Sequence, residues 1–350
     1  MVTGERDEEG VVELAELADR LVGFCAARYG DPGVVIADVA AMPGHAGFAY
    51  GFAVTHGGGT DRWFLRLPPP NVRWEGTADM LRQVTALQAL DGSDVPHCRV
   101  QWSGGPDDLE WFGRPYFVVE QLLGGDVVGI GTGAGWIGAL AGSQRTDMGR
   151  QAMAALAGIH RVDWRERCGY LGAPVGLEHD VVRWDRFVER AAEPEALADV
   201  PRVRQLLLDR LPADVHIGLF HGDFQFGNLY YSAAGQLQAV LDWELCGVGA
   251  TLNDVGWVAT FNDPAAWQHE GAVPDGMPRA DELVAQYASA WGEPLGDLAW
   301  FRALAAYKFA IITGFNLGLH RRGKRPDPLW ERIGRSIGSL QARAIDLLDG

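Results

Sequence analysis

The chain has 350 residues, 47% of them hydrophobic and 22% charged, which is the composition of a folded globular protein rather than a disordered one. Its 30 basic and 46 acidic residues give a net charge of −16, and this disfavours a nucleic-acid or membrane partner because anionic partners are bound by clustered lysine and arginine. The four cysteines are widely spaced and the N-terminus lacks a signal-peptide pattern, so we expect a cytoplasmic protein.

The first third of the sequence predicts a compact α+β lobe. Apolar side chains at helical spacing alternate with short strand-like runs that glycine and proline separate. The predicted elements, in chain order, are a helix at 8–28, strands at 34–39, 47–55 and 62–67, a helix at 78–90, and strands at 98–102 and 116–120. This order is typical of a small antiparallel sheet that carries a helix.

Helical patterns dominate the sequence after the glycine pair at 124–125. They cover residues 146–162, 179–191, 202–211, 281–290, 298–318 and 328–348. A single β-rich island at 217–241 interrupts them, and the polar motifs of the chain lie in this island.

The strongest functional signal is the run from His221 to Asn228, His-Gly-Asp-Phe-Gln-Phe-Gly-Asn, which follows an apolar strand. Asp242 comes fourteen residues after Asn228, at the end of a second apolar strand. Phosphoryl transfer from ATP needs a carboxylate that orients the attacking hydroxyl, together with oxygen ligands for a metal ion on the phosphates. Each residue alone is usually a turn residue, but the spacing and the second acid together favour a catalytic site.

With these motifs the chain resembles the aminoglycoside-phosphotransferase and choline-kinase-like family, and most closely the kinase-like domains fused to acyl-CoA dehydrogenases. Further matching stretches are 64–69, 116–120, 156–164 and 253–257. The resemblance implies a bilobal protein-kinase-like fold, with a nucleotide-binding lobe at 1–123 and a helical lobe at 124–350 that holds the catalytic loops and the acceptor site. It also implies a kinase, monomeric or homodimeric, that uses ATP or GTP with Mg²⁺ to phosphorylate a small hydroxyl-bearing substrate.

The resemblance gives roles to the residues of the motif. Asp223 would be the catalytic base, and His221 would brace its loop. Asn228 and Asp242 would be the Mg²⁺ ligands, and Asp254 would anchor the loop from the following helix.

The same comparison places a hinge for the adenine edge at Glu120, Gln121 and Leu122. The glycine-rich stretch 43–51, with Gly44 and Gly47, is either the phosphate-binding loop or an ordinary hairpin turn. A second glycine-rich stretch, 133–138, matches G-x-G-x-x-G but lacks the strand and the acid of a dinucleotide site, so we interpret it as a connection after the hinge.

Kinases use a lysine of the third strand on the α- and β-phosphates, and this chain departs from that pattern. Its two lysines, Lys308 and Lys324, both lie in the C-terminal region, so Arg66 stands in the lysine's place. Gln83, with Asp79 one turn earlier, stands where the lysine's glutamate partner belongs. An active kinase and a nucleotide-binding pseudokinase with a regulatory or scaffolding role therefore both remain open.

The acceptor is left open by the sequence. Trp257, Trp267, Trp291 and Trp300 mostly suit core packing, but some of them could line an apolar acceptor pocket. The acidic residues Asp263, Glu270 and Asp275 could instead serve a cationic acceptor. For His160, on an apolar helix face, we predict a hydrogen-bonded core residue rather than a functional one.

Overall fold

The computed structural model describes residues 14–42, 48–129, 135–268 and 276–350. These residues form two compact units. The first comprises the described residues up to Asp91, together with Cys98–Leu123 and Trp243–Leu245. The second comprises Gly92–His97, Gly124–Asp242 and the described residues from Cys246 to the C-terminus.

The first unit is an antiparallel sheet with two helices in its described part. Its elements are α1 (Leu14–Tyr29), β1 (Val35–Ala41), β2 (Ala49–His56), β3 (Gly59–Arg66), α2 (Met80–Ala89), β4 (Val100–Gly104) and β5 (Tyr116–Glu120). The strand order is β1-β2-β3-β5-β4, and every neighbouring pair is antiparallel. The predicted small antiparallel-sheet lobe is confirmed.

Helix α1 covers one face of this sheet through the residues that its sequence spacing places together. Leu17, Leu21, Phe24 and Cys25 recur at intervals of three and four, and all are fully buried. The Phe24 ring makes edge contacts with Trp102 and Tyr116, with ring centroids 5.6 and 5.5 Å apart. Burial of a side chain of this size contributes roughly 1.5–3 kcal/mol, so α1 is held mainly by its apolar stripe.

The second unit is mostly helical. Its described elements are β6 (Gly125–Asp126), α3 (Gly142–His160), α4 (Trp164–Arg167), α5 (Leu177–Val182), α6 (Asp185–Val188), α7 (Val200–Asp209), β7 (Ile217–Phe220), β8 (Leu229–Ser232), β9 (Leu237–Val240), β10 (Gly247–Ala250), α8 (Leu252–Phe261), α9 (Ala280–Trp291), α10 (Leu298–Arg321), α11 (Leu329–Ile333) and α12 (Ile337–Asp349). β7 pairs with β10, and β8 lies between β6 and β9. This arrangement confirms the predicted helical region with one β-rich island.

Two predicted helices are interrupted in the structure. The helix predicted at 179–191 is instead the two short helices α5 and α6. Trp184 lies at the break between them, and the cations of Arg183 and Lys308 both lie over its ring. The helix predicted at 328–348 is α11 and α12 with a 3₁₀ turn at Gly334–Ser336 between them. Glycine weakens a helix because it loses the most backbone entropy on folding, which fits a break at Gly334.

Helix α10 packs against α8 and α12 at the centre of the second unit. Among the described residues it is the helix whose length and composition would allow it to cross a membrane, with a mean hydropathy of 1.2. Of its most apolar stretch, 72% is buried inside the protein, and the buried core helix of a globular domain has this same pattern.

Candidate active site

The loop between β7 and β8 carries the His221–Asn228 motif, and its beginning is fixed by Asp254 of α8. One oxygen of the Asp254 carboxylate accepts from the backbone N–H of His221 at 2.7 Å, and the other accepts from that of Gly222 at 2.8 Å. The φ angle of Gly222 is +87°, a conformation in which a Cβ atom would be strained. The carboxylate therefore holds the turn that leads into Asp223.

Asp254 is itself supported by the helical core. The Nε2 atom of His160 lies 3.1 Å from its carboxylate, and the other ring nitrogen of His160 lies 2.7 Å from the Tyr287 hydroxyl. Burial works to raise the pKa of Asp254, but this pKa lies below its ordinary value because the carboxylate is stabilised by the His160 ring and by the hydrogen bond from the His221 backbone N–H. His160 is the hydrogen-bonded core residue that the sequence predicts, and it also braces the anchor of the loop.

The buried His221 ring links the loop to the end of β9. Its Nδ1 atom accepts from the Asp223 backbone N–H at 3.2 Å, so the proton of the ring is on Nε2, which donates to the Leu241 carbonyl at 2.8 Å. Leu241 immediately precedes Asp242. His221 thus braces the loop through its ring, in the manner that the family resemblance implies.

The Asp223 carboxylate is held by two donors. The indole N–H of Trp257 donates to Oδ1 at 2.7 Å, and the amide of Asn228 donates to Oδ2 at 2.9 Å and to the Asp223 carbonyl at 2.8 Å. Burial raises the pKa of Asp223 and the nearby charge of Asp242 raises it further, against the effect of the Trp257 hydrogen bond. The sequence predicted Asp223 and Asn228, but not the contribution of Trp257.

The hairpin of β8 and β9 brings Asn228 and Asp242 to the same end. Leu229 pairs with Val240, and the Leu241 N–H donates to the Asn228 carbonyl at 2.8 Å. Asp242 has a φ angle of +62°, in the left-handed region that a non-glycine residue seldom adopts. Backbone strain of this kind costs on the order of 1–3 kcal/mol and is concentrated at functional sites.

Asn228 and Asp242 offer oxygen donors, the ligand type that Mg²⁺ prefers in proteins. Because the Asn228 amide nitrogen is hydrogen-bonded to Asp223, the amide oxygen is left as an acceptor. In the described ranges no group of three or more His, Cys, Asp and Glu side chains forms a complete protein-only metal site. Mg²⁺ typically takes one or two carboxylates and completes its shell with water and phosphate oxygens, so a site with only a few protein oxygen ligands is sufficient for it.

In the first unit, the partner of Arg66 differs from the one that the sequence analysis suggests. Arg66 lies at the end of β3, and one of its terminal nitrogens is 3.3 Å from a Glu244 carboxylate oxygen. Gln83 is 3% exposed, and its side-chain nitrogen has no hydrogen-bond partner among the described residues. Asp79 caps α2 by accepting from the Arg82 N–H. The carboxylate seen against Arg66 is therefore Glu244, in the second position after Asp242.

The predicted hinge follows β5. Glu120 is the last residue of that strand, and the backbone N–H of Gln121 donates to the Arg62 carbonyl at 3.1 Å. This N–H completes the sheet, so Gln121 cannot also offer it to an adenine edge; the neighbouring Leu122 is unaffected by this bond. Gly44 and Gly47 lie outside the described residues.

The second glycine-rich stretch ends in a short 3₁₀ helix, Gly135–Ala139, while its first two residues lie outside the described ranges. The Trp136 indole N–H of this helix donates to the Val127 carbonyl at 2.8 Å.

An aromatic cluster extends from Asp223 into the helical core. Trp257 contacts Phe261 and Phe309, with ring centroids 5.6 and 5.3 Å apart, and Trp267 packs on both phenylalanines. Phe261 and Phe309 are buried, whereas the Trp257 ring beside Asp223 is half-buried. Trp257 is thus the member of this cluster that reaches the catalytic loop.

Of the three acidic residues suggested for a cationic acceptor, Asp263 is the one that lies among the described residues. Asp263 is buried and forms ion pairs with Arg302 at 3.1 Å and Arg343 at 2.7 Å. Two arginines already neutralise it, so its charge is committed to the core. Glu270 and Asp275 lie outside the described residues.

An antiparallel-sheet unit and a mostly helical unit are the two parts of a kinase-like fold. The chain belongs to the phosphotransferase enzyme family, which its residues 46–304 match. The predicted resemblance is confirmed. A candidate aminoglycoside phosphotransferase from Ralstonia eutropha has a similar crystal structure, with a TM-score of 0.75, 19% identity, and coverage of 95% of this chain and 98% of that one.

Two further comparisons agree with this assignment. The structure of an amicoumacin kinase in complex with AMP-PNP, Ca²⁺ and Ami has a TM-score of 0.54 at 16% identity, and the match covers 87% of this chain and 88% of that one. Human acyl-CoA dehydrogenase family member 11 is 26% identical over 272 residues, which is 73% of this chain and 33% of the human protein. The chain thus spans about a third of this relative.

Proposed function

We propose that this protein is a small-molecule kinase that transfers the γ-phosphoryl group of ATP or GTP to a hydroxyl group of its substrate. The observation that carries the proposal is the Asp223 carboxylate, which is held by Trp257 and Asn228 on the loop that Asp254 anchors. A fixed carboxylate beside a sparse oxygen donor set is the arrangement that phosphoryl transfer needs.

Asp223 acts on the attacking hydroxyl. Each carboxylate oxygen accepts one hydrogen bond from the protein and retains a lone pair for the substrate. As the hydroxyl oxygen bonds to the γ-phosphorus and the bond to the leaving nucleoside diphosphate breaks, the hydroxyl proton passes to Asp223. A pKa that burial raises favours this transfer, because it makes the carboxylate a stronger base.

The remaining groups position and neutralise the nucleotide. Asn228 and Asp242 would hold Mg²⁺, which when bound offsets the charge of the phosphates. Arg66 would contact phosphate oxygens through its planar fork of donors. Glu120, Gln121 and Leu122 would be the hinge contacts, with the Gln121 N–H already used by the sheet. Most of the rate acceleration would then come from orientation and electrostatics rather than from covalent chemistry.

The surroundings of the base favour an acceptor with an apolar part. The half-buried Trp257 ring lies beside Asp223, while Asp263 is neutralised by two arginines. A hydroxyl group on an acyl chain, a macrocycle or a similar apolar skeleton suits this environment better than a polycationic sugar.

The alternative is a pseudokinase that binds a nucleotide without transferring phosphate. The sequence suggests it because Arg66 and Gln83 stand where kinases have a lysine and a glutamate. The Glu244 carboxylate beside Arg66 weakens that argument, because it gives the guanidinium a charged partner from another element. The experiment below distinguishes a pseudokinase from an active kinase.

The test is Asp223→Asn, which keeps the size of the side chain and removes the base. We expect kcat to fall by about 10²–10⁴-fold, the usual effect of losing a general base, while MgATP affinity measured by calorimetry changes little. Asp281→Asn is the control, since this carboxylate belongs to the same unit and is 91% exposed. Unchanged turnover of Asp223→Asn would refute the role of Asp223. Binding of MgATP without any turnover by the wild type would support the pseudokinase.

A further inference from the structure

Arg66 is a largely buried cation whose environment must supply a negative charge. Its side chain is 15% exposed, and that of Glu244 is 27% exposed. Removing a guanidinium from water without a partner is costly, and a carboxylate at hydrogen-bond distance offsets that cost. The 3.3 Å contact between Arg66 and Glu244 is therefore a specific feature of the first unit.

The source of this carboxylate is unusual for a kinase-like protein. Protein kinases pair the strand lysine with a glutamate of the neighbouring helix. Here helix α2 presents Gln83, which is neutral and buried, and the carboxylate comes from the turn Trp243–Leu245. The Trp243 side chain is 2% exposed, so the turn that carries Glu244 is anchored in the core.

We propose that Glu244 is a positioning residue that holds the Arg66 guanidinium toward the nucleotide phosphates, in place of the helix glutamate. The proposal rests on the proposed function, in which Arg66 binds those phosphates. A guanidinium has five N–H donors in a rigid plane, so it can keep one edge on Glu244 and present another edge to phosphate oxygens. Lysine, a flexible point charge, cannot divide its contacts in the same fixed geometry.

Glu244 is also close in sequence to one of the proposed metal ligands. Glu244 follows the proposed Mg²⁺ ligand Asp242 by two residues, so one short segment supplies both a metal ligand and the partner of Arg66.

The experiment measures equilibrium binding and needs no acceptor. The affinities for MgATP, MgADP and adenosine are measured by calorimetry or competition for wild type, Arg66→Ala, Glu244→Gln, Glu244→Asp and the double variant Arg66→Ala/Glu244→Gln. Asp38→Asn is the matched control, because Asp38 forms an ion pair at 2.7 Å with Arg62, which lies on the same strand, β3, as Arg66.

We expect Arg66→Ala and Glu244→Gln each to weaken MgATP and MgADP binding by about tenfold, with the double variant no weaker than Arg66→Ala. Glu244→Asp should fall between wild type and Glu244→Gln. Adenosine affinity should not change in any variant, since adenosine has no phosphates, and Asp38→Asn should bind all three ligands as wild type does. General damage to the fold would instead weaken adenosine binding as well.

These measurements test the role of Arg66 and the role of Glu244 separately. If Arg66→Ala binds MgATP as wild type does, the phosphate site itself is misplaced and the proposed role of Arg66 fails. If Arg66→Ala weakens binding but Glu244→Gln and Glu244→Asp do not, Arg66 remains a phosphate ligand and the inference about Glu244 is wrong. Additive losses in the double variant would also overturn it, because they would show that the two residues act independently.

Discussion

Asp223 depends on a neighbour that no motif identifies. The spacing of His221, Asp223 and Asn228 made the loop recognisable in the sequence, because residues so close along the chain share one turn. Trp257 is 34 residues from Asp223, and Glu244 is 178 residues from Arg66. Contacts of this range follow from how α8 and the turn after β9 pack, which no local pattern encodes.

The Trp257 indole should fix the orientation of the base. Trp257→Phe keeps the aromatic packing and removes the N–H, so Asp223 loses one charge-assisted hydrogen bond worth about 1.5–3 kcal/mol. We expect kcat to fall by roughly 10–100-fold, with the Kd of MgATP unchanged. The assay is steady-state turnover with an accepted hydroxyl substrate.

Trp267→Phe is the control for this substitution. Trp267 belongs to the same aromatic cluster, but its N–H donates to the Thr260 carbonyl at 2.9 Å rather than to Asp223. Its variant should lose some thermal stability and keep kcat. Equal kcat losses in the two variants would mean that Trp257 serves only the packing of the core.

The two proposed metal ligands should differ in strength. Asp242→Ala removes a carboxylate that offsets the charge of the cation, whereas Asn228→Ala removes a neutral amide oxygen. Both variants should need more Mg²⁺ for half-maximal activity than wild type, and Asp242→Ala should need the most. A magnesium titration of Asp242→Ala that overlays the wild-type curve would remove Asp242 from the metal site.

At the scale of elements, the strands of the first unit were the most predictable part of the fold. β5 occupies the predicted range 116–120, and β1, β2 and β3 lie within a few residues of their predictions, because hairpins are set by local alternation and by glycine-rich turns. The residue pattern did not predict helix α8, although the family resemblance implied a helix at Asp254. Eight of its ten residues are buried and the other two are partly buried, so it lacks the polar face of the amphipathic pattern by which the longer helices were recognised.

Helix α8 supports the catalytic loop through Asp254, and this makes the loop sensitive to acid. Because the pKa of Asp254 is lowered in the folded state, its ionised form contributes stability above the unfolded-state value of about 3.9. That contribution is lost as the pH falls through the lower folded-state value. Asp254→Asn should therefore destabilise the protein by about 3–5 kcal/mol at pH 7, the usual cost of breaking a buried pair.

Urea unfolding between pH 7 and pH 2 measures this effect. The difference in the free energy of unfolding between wild type and Asp254→Asn should be constant at neutral pH and should shrink below about pH 4. A difference that stays the same down to pH 2 would show that Asp254 does not stabilise the fold through its charge.

At the scale of the whole molecule, the residues of the proposed site belong to two different units. The second unit holds the loop of Asp223 together with Asn228 and Asp242, and the first holds Arg66, the predicted hinge and the turn of Glu244. The residue patterns predicted the sheet and the helical region, because strands and amphipathic helices are recognisable from local spacing. They did not predict that residues 243–245 belong to the first unit, because so short a segment has no recognisable pattern.

The most direct measurement of the central claim is phosphoryl transfer itself. Purified protein is incubated with Mg²⁺ and γ-labelled ATP or GTP and a panel of hydroxyl compounds, and products are identified by mass spectrometry. The panel contains hydroxyacyl, macrolide-type and kanamycin-type compounds, and Asp223→Asn is run beside the wild type. We expect a labelled phosphate ester of a hydroxyacyl or macrolide-type compound with wild type, and at most a trace with Asp223→Asn. Nucleotide binding without transfer to any member of a broad panel, or equal transfer by both proteins, would contradict the account.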